Sequence, residues 1–350
     1  MAYTDIDKPS DYFETKLYTG NGGTQSITSL DFAPSLCWIK NRTQAYNNSL
    51  FDIIRGVGVR LQSDDTPGDN AMSDGLTAFN SDGFSVGANS QVNKASQNIV
   101  SWNWKAGTSF TNDASSTGIG TIDSTGSASD TAGFSIVSFT GTESNGTIKH
   151  GLSQKPSMII VKNRNIGSQW WVYHSSLGAT KQLVLNKTDA EATVSVIWND
   201  TAPTSSVFSV GTGNEVNGSG NTHIAYCFAE KQGYSKFGSY TGNGNANGTF
   251  VYTGFKPAFV IAKDTSAANN WRLFDNKRPE FNLVDKLLFP SLSDAETVNV
   301  SGAGAIDILS NGFKIRSSAN GLNASGSTYI YMCFAEQPFV TSSGVPATAR

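Results

Sequence analysis

The sequence predicts an all-β protein built as three consecutive small antiparallel β-sandwich repeats, jelly-roll or lectin-like in type. Three observations predict it. Charged residues make up only 15% of the 350, while glycine alone takes 35 positions, a balance that suits turns and short strands better than solvated helices. Apolar residues come in short runs bounded by turn residues, the pattern of strands. The chain also repeats itself three times.

The repeats are divergent but countable. A Thr-Gly pair stands at Thr19-Gly20, Thr140-Gly141 and Thr241-Gly242, followed 14, 15 and 15 residues later by Pro34, Pro156 and Pro257. Six residues on comes a lysine (Lys40, Lys162, Lys263), and eleven further on an aromatic residue (Phe51, Tyr173, Phe274). Phe84, Phe208 and Phe313 recur next, then Asn93, Asn217 and Asn323, and eleven residues later Trp104, Phe228 and Phe334. The copies run over 10–107, 132–232 and 233–339. The domain plan is therefore repeat one at 1–107, a linker at 108–131, repeat two at 132–232 and repeat three at 233–350 with a short C-terminal arm. The linker has no periodic apolar pattern.

Within a copy, each proline leads into an apolar run: SLCWI, SMIIV or AFVIA. Such runs predict strands buried on both faces. In the closing strand of copy two, Ile224, Tyr226 and Phe228 alternate with Ala225, Cys227 and Ala229. Large residues thus line one face, and small ones the other, where a second sheet can approach closely. NSDGFSVG, TSSVFSVGTG and SNGFKI read as turns entering strands. FNLVDKLLF is the one segment that predicts a short helix.

Composition also excludes. Hydrophobic content of 38% with 11% aromatic residues is too rich for a disordered chain. A net charge of −3 gives no basic excess for nucleic acid. No apolar run reaches 18 residues and the opening residues carry no signal-like segment, so neither membrane insertion nor secretion by a signal is expected.

Candidate chemistry is sparse, and neither catalytic residues, nor a metal site, nor a cofactor is expected. Cys227 and Cys333 are equivalent in successive copies, so they lie in different cores, and with Cys37 they are expected as buried free thiols. His150, His174 and His223 have no partners at metal-ligand spacing. No Ser-centred elbow appears, and the glycine-rich TGNGG and TGNGNANG segments lead into no helix that could hold an anion. Glu230 matches Glu336, and Asp52 matches Asp275 with His174 between them, but equivalent positions in separate copies stand too far apart for a hydrolytic carboxylate pair. The recurring lysines read as solvated or packed on a neighbouring loop. Trp170 and Trp271 are equivalent to each other. With Trp171 they are the candidate platforms for stacking on a sugar ring, weighed against burial in the sandwich.

The combination of YTGNG, P-x5-K-N-R, WNDTAPTSSVFSVG, VN-x-SG-x-T-x-IAYCFAE and GVPATAR resembles an uncharacterised β-sandwich repeat of structural and tail-fibre-like proteins of marine tailed phages, those of cyanobacteria and of pelagic heterotrophs. Copy two is closest, and copy one departs by ending in SWNWKAG. The resemblance implies a non-enzymatic virion subunit made in a host bacterial cytoplasm, most simply a tail fibre or tail appendage with host-surface contact. The alternatives are a capsid decoration protein, a receptor-recognition lectin bound to host surface glycan, or a glycan depolymerase. The expected partners are other copies of the chain, as a homo-oligomer with a trimer favoured, and other phage tail or capsid proteins.

Overall fold

In the computed structural model, which describes residues 4–298 and 304–348, each copy builds the same four-stranded antiparallel sheet. In copy one the order is Phe13–Thr19, Asn98–Trp104, Leu36–Asn41, Ser49–Asp52. Copy two repeats it with Phe134–Thr140, Thr222–Phe228, Met158–Asn163 and Trp171–His174, and copy three with Ser235–Thr241, Thr328–Pro338, Phe255–Asp264 and Arg272–Asp275. The strands after the prolines are buried along their whole length, as apolar runs in mid-sheet should be. A smaller sheet covers one face of each large one: Gln25–Ile27, Gly83–Val86 and Leu76–Asn80 in copy one. Its counterparts are Gly146–Lys149 with Val207–Val210, and Phe250–Tyr252 with Gly312–Ile315 and Ile306–Leu309. Helix is confined to 7% of residues, in one-turn segments. The fold is all-β.

Side-chain alternation explains the layering. In copy two Ala225, Cys227 and Ala229 face the small sheet, forming a core with Ile148, Phe208 and Val210. Copies one and three have outer cores of their own. The large residues Ile224, Tyr226 and Phe228 face the other way, into a central core that all three copies share. At its middle stand the equivalent residues Trp104, Phe228 and Phe334, with ring centroids 6.4, 5.7 and 6.0 Å apart around the triangle. The chain is therefore a pseudo-threefold body, and each copy is one side of it. Aromatic pairs of this kind add roughly 0.5–1.5 kcal/mol each beyond the area they bury.

Two expectations are corrected. The segment 108–131 is no linker: Thr108–Asn112 pairs with Ser124–Ser129, which pairs with Phe134–Thr140 and so extends the sheet of copy two. Its short polar residues hide a strand because only one face is covered, with Phe110 packing on the outer core of copy two. FNLVDKLLF is not helical: Lys286–Leu287 pairs with Thr297–Val298, and Val284 and Leu288 bridge Ile306 and Leu273, so Val284, Leu287 and Leu288 are buried at helix-like spacing by extended chain. The C-terminal arm folds back, Val340 bridging Pro346 and Ser342 donating to the Asp7 carboxylate.

Candidate functional site

The recurring residues are drawn together at equivalent places, and each place has a structural task. The first is a latch. Asn93, Asn217 and Asn323 each end a one-turn helix and are wholly buried. Their Oδ1 atoms accept from the backbone N–H of Asn21, Thr142 and Asn243, at 2.9–3.0 Å. Their amides donate to Gly87, Gly211 and Ser317 carbonyls on one side and to Gly23, Ser144 and Asn245 carbonyls on the other. The Thr-Gly loop is thereby tied to the outer sheet. Its glycine is required by close approach, since a Cβ on Gly20, Gly141 or Gly242 would meet a backbone carbonyl oxygen at 2.2–2.3 Å.

The lysines are not solvated: Lys40, Lys162 and Lys263 are fully buried. The loop-packing alternative describes them. Lys40 donates to the carbonyls of Tyr46 and of Ser293 in copy three, Lys263 to those of Ala267 and of Thr188 in copy two. Lys162 donates to Asn163 and Ile166 carbonyls and to Ser168 Oγ. Burial lowers all three to about 8. The following residue closes an Asx turn in each copy: Asn41 Oδ1 accepts from Thr43 and Gln44, Asn163 from Asn165 and Ile166, Asp264 from Ser266 and Ala267.

Asp52, His174 and Asp275 lie at the three junctions between copies, fully buried. Asp52 accepts from Tyr226 Oη of copy two at 2.8 Å, and Asp275 from Trp102 Nε1 of copy one at 3.0 Å. The residue equivalent to Tyr226 and Trp102 in copy three is Met332, which has no donor, and there His174 stands 3.2 Å from the Tyr331 carbonyl instead. Each aspartate is paired with an arginine three residues on, Asp52–Arg55 and Asp275–Arg278, both at 2.6 Å; copy two, with histidine, has Leu177 there. The two acids are thus interface fasteners held in ion pairs at two of the three junctions, with His174 at the third.

Trp170 and Trp271 also bury at junctions, which is the burial reading weighed against a sugar platform. Their Nε1 atoms donate to Gln62 O of copy one at 2.7 Å and Val184 O of copy two at 2.9 Å. Copy one has Asn48 at this position, donating to Phe289 and Leu292 carbonyls of copy three, while Trp38 supplies the missing indole and donates to Asn48. Trp171 is half-buried on the outer core of copy two. Neither Trp170 nor Trp271 leaves a ring face for a pyranose, because the shared core is where large side chains lower the free energy most. Glu230 and Glu336 are ion-paired with Lys236 and Lys256. The three cysteines are free and buried, one in each outer core.

Sequence reading missed the outer fasteners. The N–H of Asp69, Glu191 and Glu296 donates to the carbonyl of Arg164, Thr265 and Arg42 in the next copy, at 2.7–3.0 Å. Arg164 then pairs with Asp69 at 2.8 Å, and Arg42 with Glu296 at 2.8 Å. A carboxylate 29, 29 and 33 residues after the recurring lysine was the available signal.

Fold and site together define an internally triplicated all-β scaffold whose recurring polar residues hold loops and copies in place. The chain belongs to the family described as domain of unknown function DUF7483, whose model matches residues 8–338, across all three copies. No curated protein matches it. Among the described residues no helix is long and apolar enough to cross a membrane, and no group of three or more His, Cys, Asp or Glu side chains is placed to hold a metal.

Proposed function

We propose that this protein is a non-enzymatic structural subunit of a tailed-phage virion, a tail fibre or tail appendage that meets the host surface. The observation that carries the reading is the use of the recurring residues. Lysines, aspartates, asparagines and tryptophans that recur with fixed spacing are spent on latches and junctions, which suits a part whose task is to keep its shape. The resemblance to tail-fibre-like repeats supports the same reading, with assembly in a bacterial cytoplasm and other tail or capsid proteins as neighbours. The homotrimer belongs to this proposal. Its contacts would be loops and edge strands such as Thr108–Asn112, because the broad aromatic faces are already covered within one chain.

A second reading, glycan recognition, is favoured by exposed aromatic residues in copy three. Phe250 and Tyr252 are 44% and 53% exposed on one edge strand, and Tyr252 borders a groove of about 320 Å³ with Glu230, Gln232 and Lys236. Gold-labelled antibody on purified particles tests the main reading. Label on the tail is expected; label on the head would favour decoration, and protein found only in the soluble lysate would overturn the virion role.

A further inference from the structure

At one position equivalent in the three copies, a buried polar side chain lacks a partner in copy three. Ile53, Ser175 and Asn276 are equivalent: their N–H groups donate to the carbonyls of Ser35, Ser157 and Ala258 at 3.0, 2.8 and 2.9 Å. Ile53 is 39% exposed and Ser175 is exposed, but Asn276 is only 1% exposed. Neither its Oδ1 nor its Nδ2 has a hydrogen-bond partner in the protein, and the hydroxyl of buried Thr15 beside the same cleft has none either. Leaving such a group unpaired in the interior is unfavourable. The amide stands at one of the three equivalent positions, and its side chain makes no hydrogen bond within the fold.

Asn276 lines a cleft of about 70 Å³ between copy three and the edge strand of copy one. That is room for about two waters of liquid, or a group of three or four heavy atoms. Phe13, Ala258 and Ala335 give it apolar wall; Glu14, Lys277 and Thr15 give it polar rim. A bare cation is disfavoured by Lys277 and by Glu336, whose carboxylate is held by Lys256 at 3.2 Å. An anion is disfavoured by Glu14. A neutral group with one donor, one acceptor and a methyl fits: its methyl meets the alanines, and a turn of the Asn276 amide, now buried at the cleft wall without partners, would bring Oδ1 to the donor and Nδ2 to the acceptor.

We propose that this cleft binds the acetamido group of an N-acetylated hexosamine. The choice of a sugar as its carrier rests on the glycan-recognition reading above; the acetamido specificity rests on the cleft alone.

The test is amide-resolved NMR of the full chain titrated with acetamide, N-acetylglucosamine and, as a control, glucose. Shifts at Phe13–Thr15, Ala258, Asn276 and Lys277 are expected with the first two and not with glucose. Asn276→Ser, which installs the copy-two residue, should weaken binding at least tenfold while the remaining spectrum stays dispersed. No shift with either acetamido compound, or equal shifts with glucose, overturns the site. Tighter binding of an N-acetyl-lysine peptide than of the sugar overturns the hexosamine assignment. Sugar binding by a protein absent from virions would sink the particle role and leave the cleft standing.

Discussion

Glu143 occupies a left-handed backbone position that glycine fills in the other two copies: φ is +56° at Glu143, +73° at Gly22 and +70° at Gly244. All three donate their N–H to the latch asparagine carbonyl, at 2.7–2.8 Å, so the conformation is set by the latch and not by the residue. A Cβ in that region is strained, while glycine costs more chain entropy on folding. Strain outweighs entropy here, and Glu143→Gly should stabilise the protein by about 0.5–1 kcal/mol, read as a higher urea midpoint at unchanged slope. The latch itself was legible as a recurring asparagine; its partners were not, because they are backbone groups brought in from about 70–80 residues away. Which of the two readings of the lysines holds, solvated or packed on a loop, was not legible for a related reason. A lysine at a strand end is normally solvated, and here carbonyls of the loop that follows it, such as Tyr46, Ile166 and Ala267, joined by Ser293 and Thr188 of a neighbouring copy for Lys40 and Lys263, let it stay inside.

At the scale of elements, the strands after each proline and the closing strands were legible, since runs and alternation are local properties. Thr108–Asn112 and Ser124–Ser129 were not, because Ser, Thr and Gly at those positions give no apolar period. What makes them strands is the open edge of Phe134–Thr140, which offers unpaired backbone groups to whatever lies next to it. Gly126 discriminates the two readings. A Cβ there would meet the Ile136 carbonyl oxygen at 2.4 Å, whereas in a loose linker Gly→Ala would be neutral or slightly stabilising. Gly126→Ala should lower stability by about 1–3 kcal/mol; an unchanged denaturation midpoint would return this segment to linker status.

The whole molecule is held by a core that no copy owns. Trp104, Phe228 and Phe334 pack on one another, and each junction adds a buried hydrogen bond from one copy to the next. Unfolding should therefore be one cooperative transition, with calorimetric and van't Hoff enthalpies in agreement, and copy two expressed as 132–232 should not give a folded monomer. Separate transitions for the copies would refute the shared core. Acid should weaken the assembly. Burial lowers His150, His174 and His223 to about 4, and the Nδ1 atoms of His150 and His174 accept from Leu152 and Ser176 N–H, which requires neutral rings. Their folded values lie below the ordinary 6.5, so their contribution is complete above pH 6.5 and is lost as pH falls towards 4. At full effect this is on the order of 3 kcal/mol for each. Denaturation midpoints measured from pH 7 to 4 should fall steadily, and substituting His174 by glutamine should flatten part of that slope.

By itself the sequence determined the all-β class, the triplication, the buried strands, and the separation of the cysteines into three cores. Each follows from local pattern or from comparing one copy with the next. Only the tertiary structure decided what the large faces do. A strand with Tyr226 and Phe228 on one side must bury them, but its pattern cannot say against what. A second chain, another sheet of the same copy, or the sister copies would all satisfy the same alternation. The sister copies meet that need because three equal sheets joined in one chain can close around an axis without the translational entropy cost of association. That closure turned apparent ligand platforms, Trp170 and Trp271, into the seams of the molecule.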